Sequence, residues 1–409
     1  MKTSYSLLLS IILLIITYPS IAQQGWTIYN NTNTILGSGT YKAISIDQLG
    51  NIWVGGSYNG LYKFNGTTWT KYSTSNSNIL HNDINDIVID NANKVWVANY
   101  KGVSVFNGST FANYDTLNAA FSGLTVYTLG KDNNGKIWLS SRTGSFGYKG
   151  ITTFDGTTWT NITGYPSQIN GAEFPDFAFA PNNDAWIACQ NGFTKYNGAF
   201  TYYPPVTSIS KSESVAIDAN GNVWVGGFSA LVKYNGSTWT KYDNVTSLGL
   251  ISSNTLYYDI FPDGNILWIG CSGGLLKFNI TTGTIVANYN SSNSPLVDNC
   301  VSKITKDASG YLWLATTIGV VKMDPSIVGV EELDINNQVK IYPNPTSNQL
   351  YIESDLSKFE ITIIDLTGKA IKTIKQNTNV VDITDLSNGI YFIKVFTVNG
   401  TITKKFIKQ

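Results

Sequence analysis

The sequence predicts an all-β fold, a seven-bladed β-propeller closed by an N-terminal outer strand and followed by a small C-terminal β-sandwich. Three observations predict it. A tryptophan-centred phrase, first Asn51-Ile52-Trp53-Val54-Gly55-Gly56, recurs around Trp96, Trp138, Trp186, Trp224, Trp268 and Trp313 at spacings of 43, 42, 48, 38, 44 and 45 residues, the length of one four-stranded blade. Within each unit, β-branched and aromatic residues run in short stretches bounded by Gly, Asn and Asp, with no sustained 3.6-residue apolar pattern. The seventh unit lacks an outer strand, and Gly25-Trp26-Thr27-Ile28-Tyr29 matches outer strands such as Thr68-Trp69-Thr70-Lys71-Tyr72 and Thr238-Trp239-Thr240-Lys241-Tyr242. The N-terminal segment is therefore expected to complete the last blade.

Taken in order, the chain divides into a signal peptide (1–22), a propeller (23–326), a linker (327–338) and a tail domain (339–409). Lys2, an apolar stretch over 7–16, and small residues at Ser20 and Ala22 suit signal-peptidase cleavage after Ala22. The apolar run is shorter than the roughly 20 residues a bilayer requires. The mature chain is expected to begin at Gln23 without a membrane-spanning segment.

Blade one shows the design, with strands expected over 41–47, 51–56, 61–65 and 67–72. Asp47 precedes a tight turn closing on Gly50, where its carboxylate can accept turn N–H groups. Asp90, Asp132, Asp218 and Asp307 repeat it six residues before their tryptophans, whereas blade four has Ala180. Blade six reads as lengthened by one residue around Asp263-Gly264-Asn265. The pairs Asn65-Gly66, Asn107-Gly108, Asp155-Gly156, Asn197-Gly198 and Asn235-Gly236 predict type I′ hairpins between third and fourth strands. The seven tryptophans fill the widening wedges between blades. Ile44, Ile87, Leu129, Phe177, Val215 and Ile304, nine residues before them, alternate with smaller neighbours in the crowded centre.

Composition narrows the function. With 27 Lys+Arg against 27 Asp+Glu among 409 residues, no basic field exists to hold nucleic acid. Charged residues are only 13% of the chain, so the surface is built from Asn, Ser, Thr, Gly and Tyr. Three cysteines and one histidine exclude a disulfide framework and a multi-histidine metal centre, and no cofactor is expected. His81 has no nucleophile and carboxylate fixed beside it, and Cys189 and Cys271 read as small buried fillers. Links between second and third strands share a face with the links between blades, and loops carry function. On that face Tyr58, Asn59, Tyr100, Arg142, Phe146, Tyr148, Gln190 and Phe228 are the candidate ligand-binding residues. The expansion over 142–148 is the largest departure from the repeat.

In the tail, strands are expected near 350–352, 359–364, 369–374, 380–382, 389–396 and 401–407. Tyr342-Pro343-Asn344-Pro345, Asp365-Leu366-Thr367-Gly368-Lys369, Leu386-Ser387-Asn388-Gly389-Ile390-Tyr391 and the closing Lys404-Lys405-Phe406-Ile407-Lys408 resemble the type A C-terminal sorting domain of the Bacteroidetes type IX secretion system. The resemblance implies recognition by the type IX machinery and passage across the outer membrane. It also implies cleavage of the tail between about residues 328 and 339, with release or attachment to surface lipopolysaccharide. The repeats resemble the two-component-regulator propeller family, best at Asp86-Ile87-Val88-Ile89-Asp90 and Gly60-Leu61-Tyr62-Lys63-Phe64. Some members of that family are sensor domains fused to membrane histidine kinases. This chain has no kinase, which puts signalling in cis in doubt.

Together these readings describe a secreted or cell-surface, non-catalytic binding or adhesion protein whose propeller loops present a platform for a glycan or a protein. One alternative is a metal-dependent lyase, since streptogramin lyases are seven-bladed propellers, although their histidine-containing site has no counterpart here. The other is an extracellular structural protein or the partner of a sensor.

Overall fold

The computed structural model describes residues 25–326 and 339–409, apart from 120–122, 144–146, 170–172, 190–191, 205–210, 229, 244–254, 355–358, 366–368, 375–377 and 398–399. The expected signal peptide and linker lie outside the described residues, as do Phe146, Gln190 and Gly368. Among the described residues there is no helix long and apolar enough to cross a membrane.

Seven four-stranded antiparallel sheets follow one another along the chain. Blade one comprises Tyr41–Ile46, Ile52–Gly56, Gly60–Phe64 and Trp69–Tyr72. Blade seven takes Val301–Lys306, Leu312–Thr316 and Val320–Met323 from its own unit, and its outer strand is Trp26–Tyr29. That strand runs antiparallel to the third, with Trp26 opposite Met323 and Tyr29 opposite Val320. The inner strands of blades one and seven also touch, which closes the circle.

Each repeated tryptophan belongs to the apolar cluster of the blade that follows it. Trp53 packs with Ile84, Ile87, Val95 and Phe106 of blade two, Trp224 with Tyr257, Leu267 and Phe278 of blade six, and Trp313 with Tyr41, Ile44 and Val54 of blade one. All seven tryptophans are buried. Truncating any of them to alanine is expected to cost about 3–5 kcal/mol. The close approach of the blades also sets the small residues beside them. A Cβ on Gly55 would lie 2.3 Å from Cγ2 of Ile84 on the next blade, so no larger residue fits.

Two features of the turns differ from the sequence reading. The turns between third and fourth strands are not two-residue type I′ turns. Phe64 pairs with Trp69 across four loop residues, and only Gly66, not Asn65, has a positive φ. The physical reason is that Asn65 turns its side chain inward, where Oδ1 accepts the N–H groups of Thr67 (3.0 Å) and Thr68 (2.8 Å). Asp155 makes the same pair of bonds to Thr157 and Thr158, which hold its carboxyl down at about 2. In blade six the first turn is shortened, not lengthened: Asp263 pairs with Ile266 across Gly264-Asn265, whereas Ile46 pairs with Ile52 across five residues in blade one.

The aspartates six residues before the tryptophans do more than close a turn. Asp47 Oδ1 accepts the N–H groups of Leu49 and Asn51, while Oδ2 accepts the Trp53 indole N–H at 2.9 Å. Asp90, Asp132, Asp218 and Asp307 hold Trp96, Trp138, Trp224 and Trp313 in the same way at 2.9–3.1 Å. A lysine on the third strand lies over the ring in four blades, for example Lys63 Nζ at 5.4 Å from the Trp53 centroid. Turn, indole and cation therefore form one repeated unit.

The tail domain consists of a three-stranded sheet (Val339–Tyr342, Gln349–Ser354, Val380–Asp382) and a four-stranded sheet (Ala370–Ile374, Phe359–Ile364, Gly389–Thr397, Gly400–Lys408). Both contribute to one core that includes Val339, Leu350, Ile361, Ile393 and Phe406. The motif residues knit the ends of this domain together. Asn344 accepts the Ile407 N–H and donates to the Lys405 carbonyl, Tyr391 stacks on Phe406, and Tyr342 stacks on Tyr351.

Candidate functional site

Six of the inner strands carry a bulge at the same place, seen as register shifts between Tyr41 and Ala43, Ile84 and Asp86, Val126 and Thr128, Ser212 and Ser214, Tyr257 and Asp259, and Val301 and Lys303. A bulge re-aims the side chains beside it, and three charged residues at the ring axis stand beside one: Asp86, Asp259 and Lys303, of blades two, six and seven. Asp176 joins them from blade four, just ahead of the unshifted strand Phe177–Phe179. Each aspartate accepts a backbone N–H of the next blade: Asp86 that of Leu129 (2.8 Å), Asp176 that of Val215 (3.0 Å), and Asp259 that of Ile304 (2.7 Å). Lys303 Nζ lies 2.9 Å from Asp259 and 3.7 Å from Asp176.

One ammonium thus serves three carboxylates at the axis. Burial, partly offset by Lys303, raises the pKa of Asp86 and pushes Asp176 up to about 6. Burial opposes the charge on Lys303, but Asp176, Asp259 and Asp86 outweigh it and hold its pKa well above the ordinary lysine value. Among the described residues no group of His, Cys, Asp and Glu is arranged to hold a metal ion. The cluster faces a cavity of about 570 Å³ on the side of the first turns, which Asp86, Asp176 and Lys303 help to line.

A second cavity, of about 300 Å³, opens at the other end of the axis, on the loop face. Lys42 and Asn85 reach it from blades one and two. Tyr127, Ser140, Ser141 and Arg142 belong to blade three. Glu173, Phe174 and Pro175 lie on the approach to blade four, and Glu213 is in blade five. The Arg142 guanidinium sits 4.2 Å from the Tyr127 centroid. Lys42 pairs with Asp83 at 3.2 Å. Lys211 bridges Glu173 (3.2 Å) and Glu213 (2.7 Å); burial opposes its charge, but these two carboxylates raise its pKa. Ser141 is 5% exposed, and its Oγ is buried without a hydrogen-bond partner among the described residues.

Of the sequence-predicted site residues that are described, the structure brings only Arg142 into this cavity. Tyr58, Tyr100 and Phe228 are exposed elsewhere on the same face, and Asn59 donates to the Ser38 carbonyl. Tyr148 stands opposite Arg142 in the strand register. His81 is not in the cavity lining; its Nδ1 accepts the Asp83 N–H, its ring lies 5.5 Å from Tyr100, and burial lowers its pKa. Cys189 and Cys271 are buried, and Cys300 is half-buried. The face as a whole is apolar at its edges. Ile35, Tyr58, Tyr100, Leu117, Leu124, Phe228 and Ile318 are exposed there, against Leu49 among the described residues of the opposite face.

Comparison with known proteins agrees with this architecture. Residues 340–409 match the secretion system C-terminal sorting domain. No curated protein matches the chain in sequence. Among solved structures, the chain is similar to PorZ, an essential surface component of the type IX secretion system of Porphyromonas gingivalis. The TM-score is 0.58 at 19% identity, over 90% of this chain and 59% of that one. It is also similar to the extracellular domain of the hybrid two-component system BT3049 of B. thetaiotaomicron (TM-score 0.60, 16% identity, 94% and 57% coverage). Virginiamycin B lyase of Staphylococcus aureus gives a TM-score of 0.59 at 13% identity, over 73% of this chain and 98% of the lyase. The chain spans less than two thirds of the length of the first two, and at these identities the likeness is one of fold.

Proposed function

We propose that this seven-bladed propeller, carried to the cell surface or released by its type IX sorting domain, is a non-catalytic binding protein that takes its ligand at the axial cavity of the loop face. The observation that carries the reading is a break in the repeat. Where the other second strands end in pairs such as Gly55-Gly56, Ala98-Asn99 and Gly226-Gly227, blade three has Ser140-Ser141 followed by Arg142. The departures at Arg142, Glu173 and Glu213 converge on one cavity. Folding the ring asks for what repeats; side chains that do not repeat and nevertheless meet at the axis serve something else. Acid–base chemistry has less support, because His81 is outside the cavity and held by its own loop.

The test is a ligand screen on the purified chain against peptides, glycans and small metabolites, repeated with Arg142→Gln. Saturable binding lost in the variant supports the reading. Turnover of any screened compound would replace binding with catalysis.

A further inference from the structure

Resting on that reading of the cavity, we infer that its ligand is a small zwitterion of the α-amino acid class, from a free amino acid to a dipeptide. The order of blades around the axis separates the charges. Lys42 and Arg142 approach from blades one and three, Glu173 and Glu213 from the adjacent blades four and five. Asp83 pairs with Lys42 and Lys211 bridges the two glutamates, so one arc of the wall keeps the positive charge of Arg142 and the next keeps one net negative charge. A simple anion would meet the glutamates, a simple cation would meet Arg142, and a neutral sugar uses neither arc. A ligand with a carboxylate at one end and an ammonium at the other matches both.

The remaining lining fits the same class. Ser141, which lines the cavity next in sequence to Arg142, has a buried hydroxyl with no partner among the described residues, and it can donate to a carboxylate that the guanidinium binds. Phe174, Pro175 and Tyr127 supply an apolar wall for a side chain. The volume of about 300 Å³ is at the small end of ligand cavities, enough for one or two residues of a peptide.

The test uses the full chain and isothermal titration with L-Ala-L-Phe, its N-acetylated form, its C-terminal amide, and a panel of neutral mono- and disaccharides. The expected result is saturable binding of the dipeptide, weakened about tenfold or more by either blocking group and by Arg142→Gln or Glu213→Gln. Ser141→Ala separates binding from folding. Because the hydroxyl has no partner among the described residues, its loss should leave thermal stability unchanged or slightly higher while weakening the dipeptide. Blocked dipeptides that bind as well as the parent overturn the zwitterion inference. So does a neutral sugar whose binding depends on Arg142 and Ser141, although that result keeps the cavity as a binding site. Failure of every probe to bind sinks both.

Discussion

Lys303→Met removes the one ammonium that faces Asp86, Asp176 and Asp259 while keeping a similar side-chain volume. Taking one partner from a buried ion pair costs about 3–5 kcal/mol, since the other charge is left without compensation. Here the lysine side chain is 29% exposed, to the axial cavity, so the loss at neutral pH should be about 2–4 kcal/mol after allowance for solvent screening. For a domain of this size that corresponds to a fall of roughly 3–6 °C in melting temperature. The pH dependence identifies the cause. Burial already raises the pKa of Asp86 and pushes that of Asp176 up to about 6, so the folded state binds protons more readily than the unfolded chain. These two groups contribute stability that is full below their unfolded pKa and is lost as pH rises through the folded value. Without Lys303 their pKa values rise further, and lowering the pH from 7 to 5 should recover much of the deficit. The assay is thermal unfolding of wild type, Lys303→Met and Lys303→Met/Asp259→Asn at both pH values, with the double variant expected to melt above the single one at pH 7. An equal deficit at pH 7 and pH 5, or no deficit at all, would refute the reasoning.

Three further outcomes follow from the same structure. Tyr29→Ala should lower stability by about 3–4 kcal/mol, because its ring stacks on Trp313 at 5.5 Å and also meets Phe64 and Trp69 of blade one; denaturant unfolding checks this, and a neutral substitution would count against closure by the N-terminal strand. Asp47→Ala strands the Trp53 indole N–H and the turn N–H groups it serves and should cost about 2–3 kcal/mol; chemical denaturation followed by tryptophan fluorescence reads the loss. Deleting residues 339–409 should leave the propeller inside the cell, and normal release of the truncated protein would reject the sorting role of the tail.

The repeat was legible because each signal occurs many times. Seven tryptophans at one spacing, an aspartate ahead of most of them, and an orphan strand at Trp26 specify blades, wedge and closure without any coordinate. The indole bond to Asp47 was within reach, since residue and tryptophan hold a fixed offset, but only a turn was read from it. The axial cluster was harder. Asp86, Asp176 and Lys303 stand ten residues before their tryptophans and Asp259 nine before its own, charged residues in otherwise apolar strands. The bulge beside Asp86, Asp259 and Lys303 is a backbone event without a residue signature of its own. The loop-face cavity was hidden for a related reason. Ser141, Glu173 and Glu213 are each single departures from the repeat, and only ring closure shows that they meet. Large exposed aromatics such as Tyr58 and Tyr100 drew the sequence reading to the rim instead.

The ligand is expected at the loop-face end of the axis. Hydrogen exchange of the full chain with and without a ligand found by the screen tests this directly. Added protection is expected at Ser140, Ser141 and Arg142, at Glu173 and Phe174, and at Glu213, with no change at the first turns near Gln48 and Asn133. Protection confined to those first turns, or to the outer strands, would contradict the account.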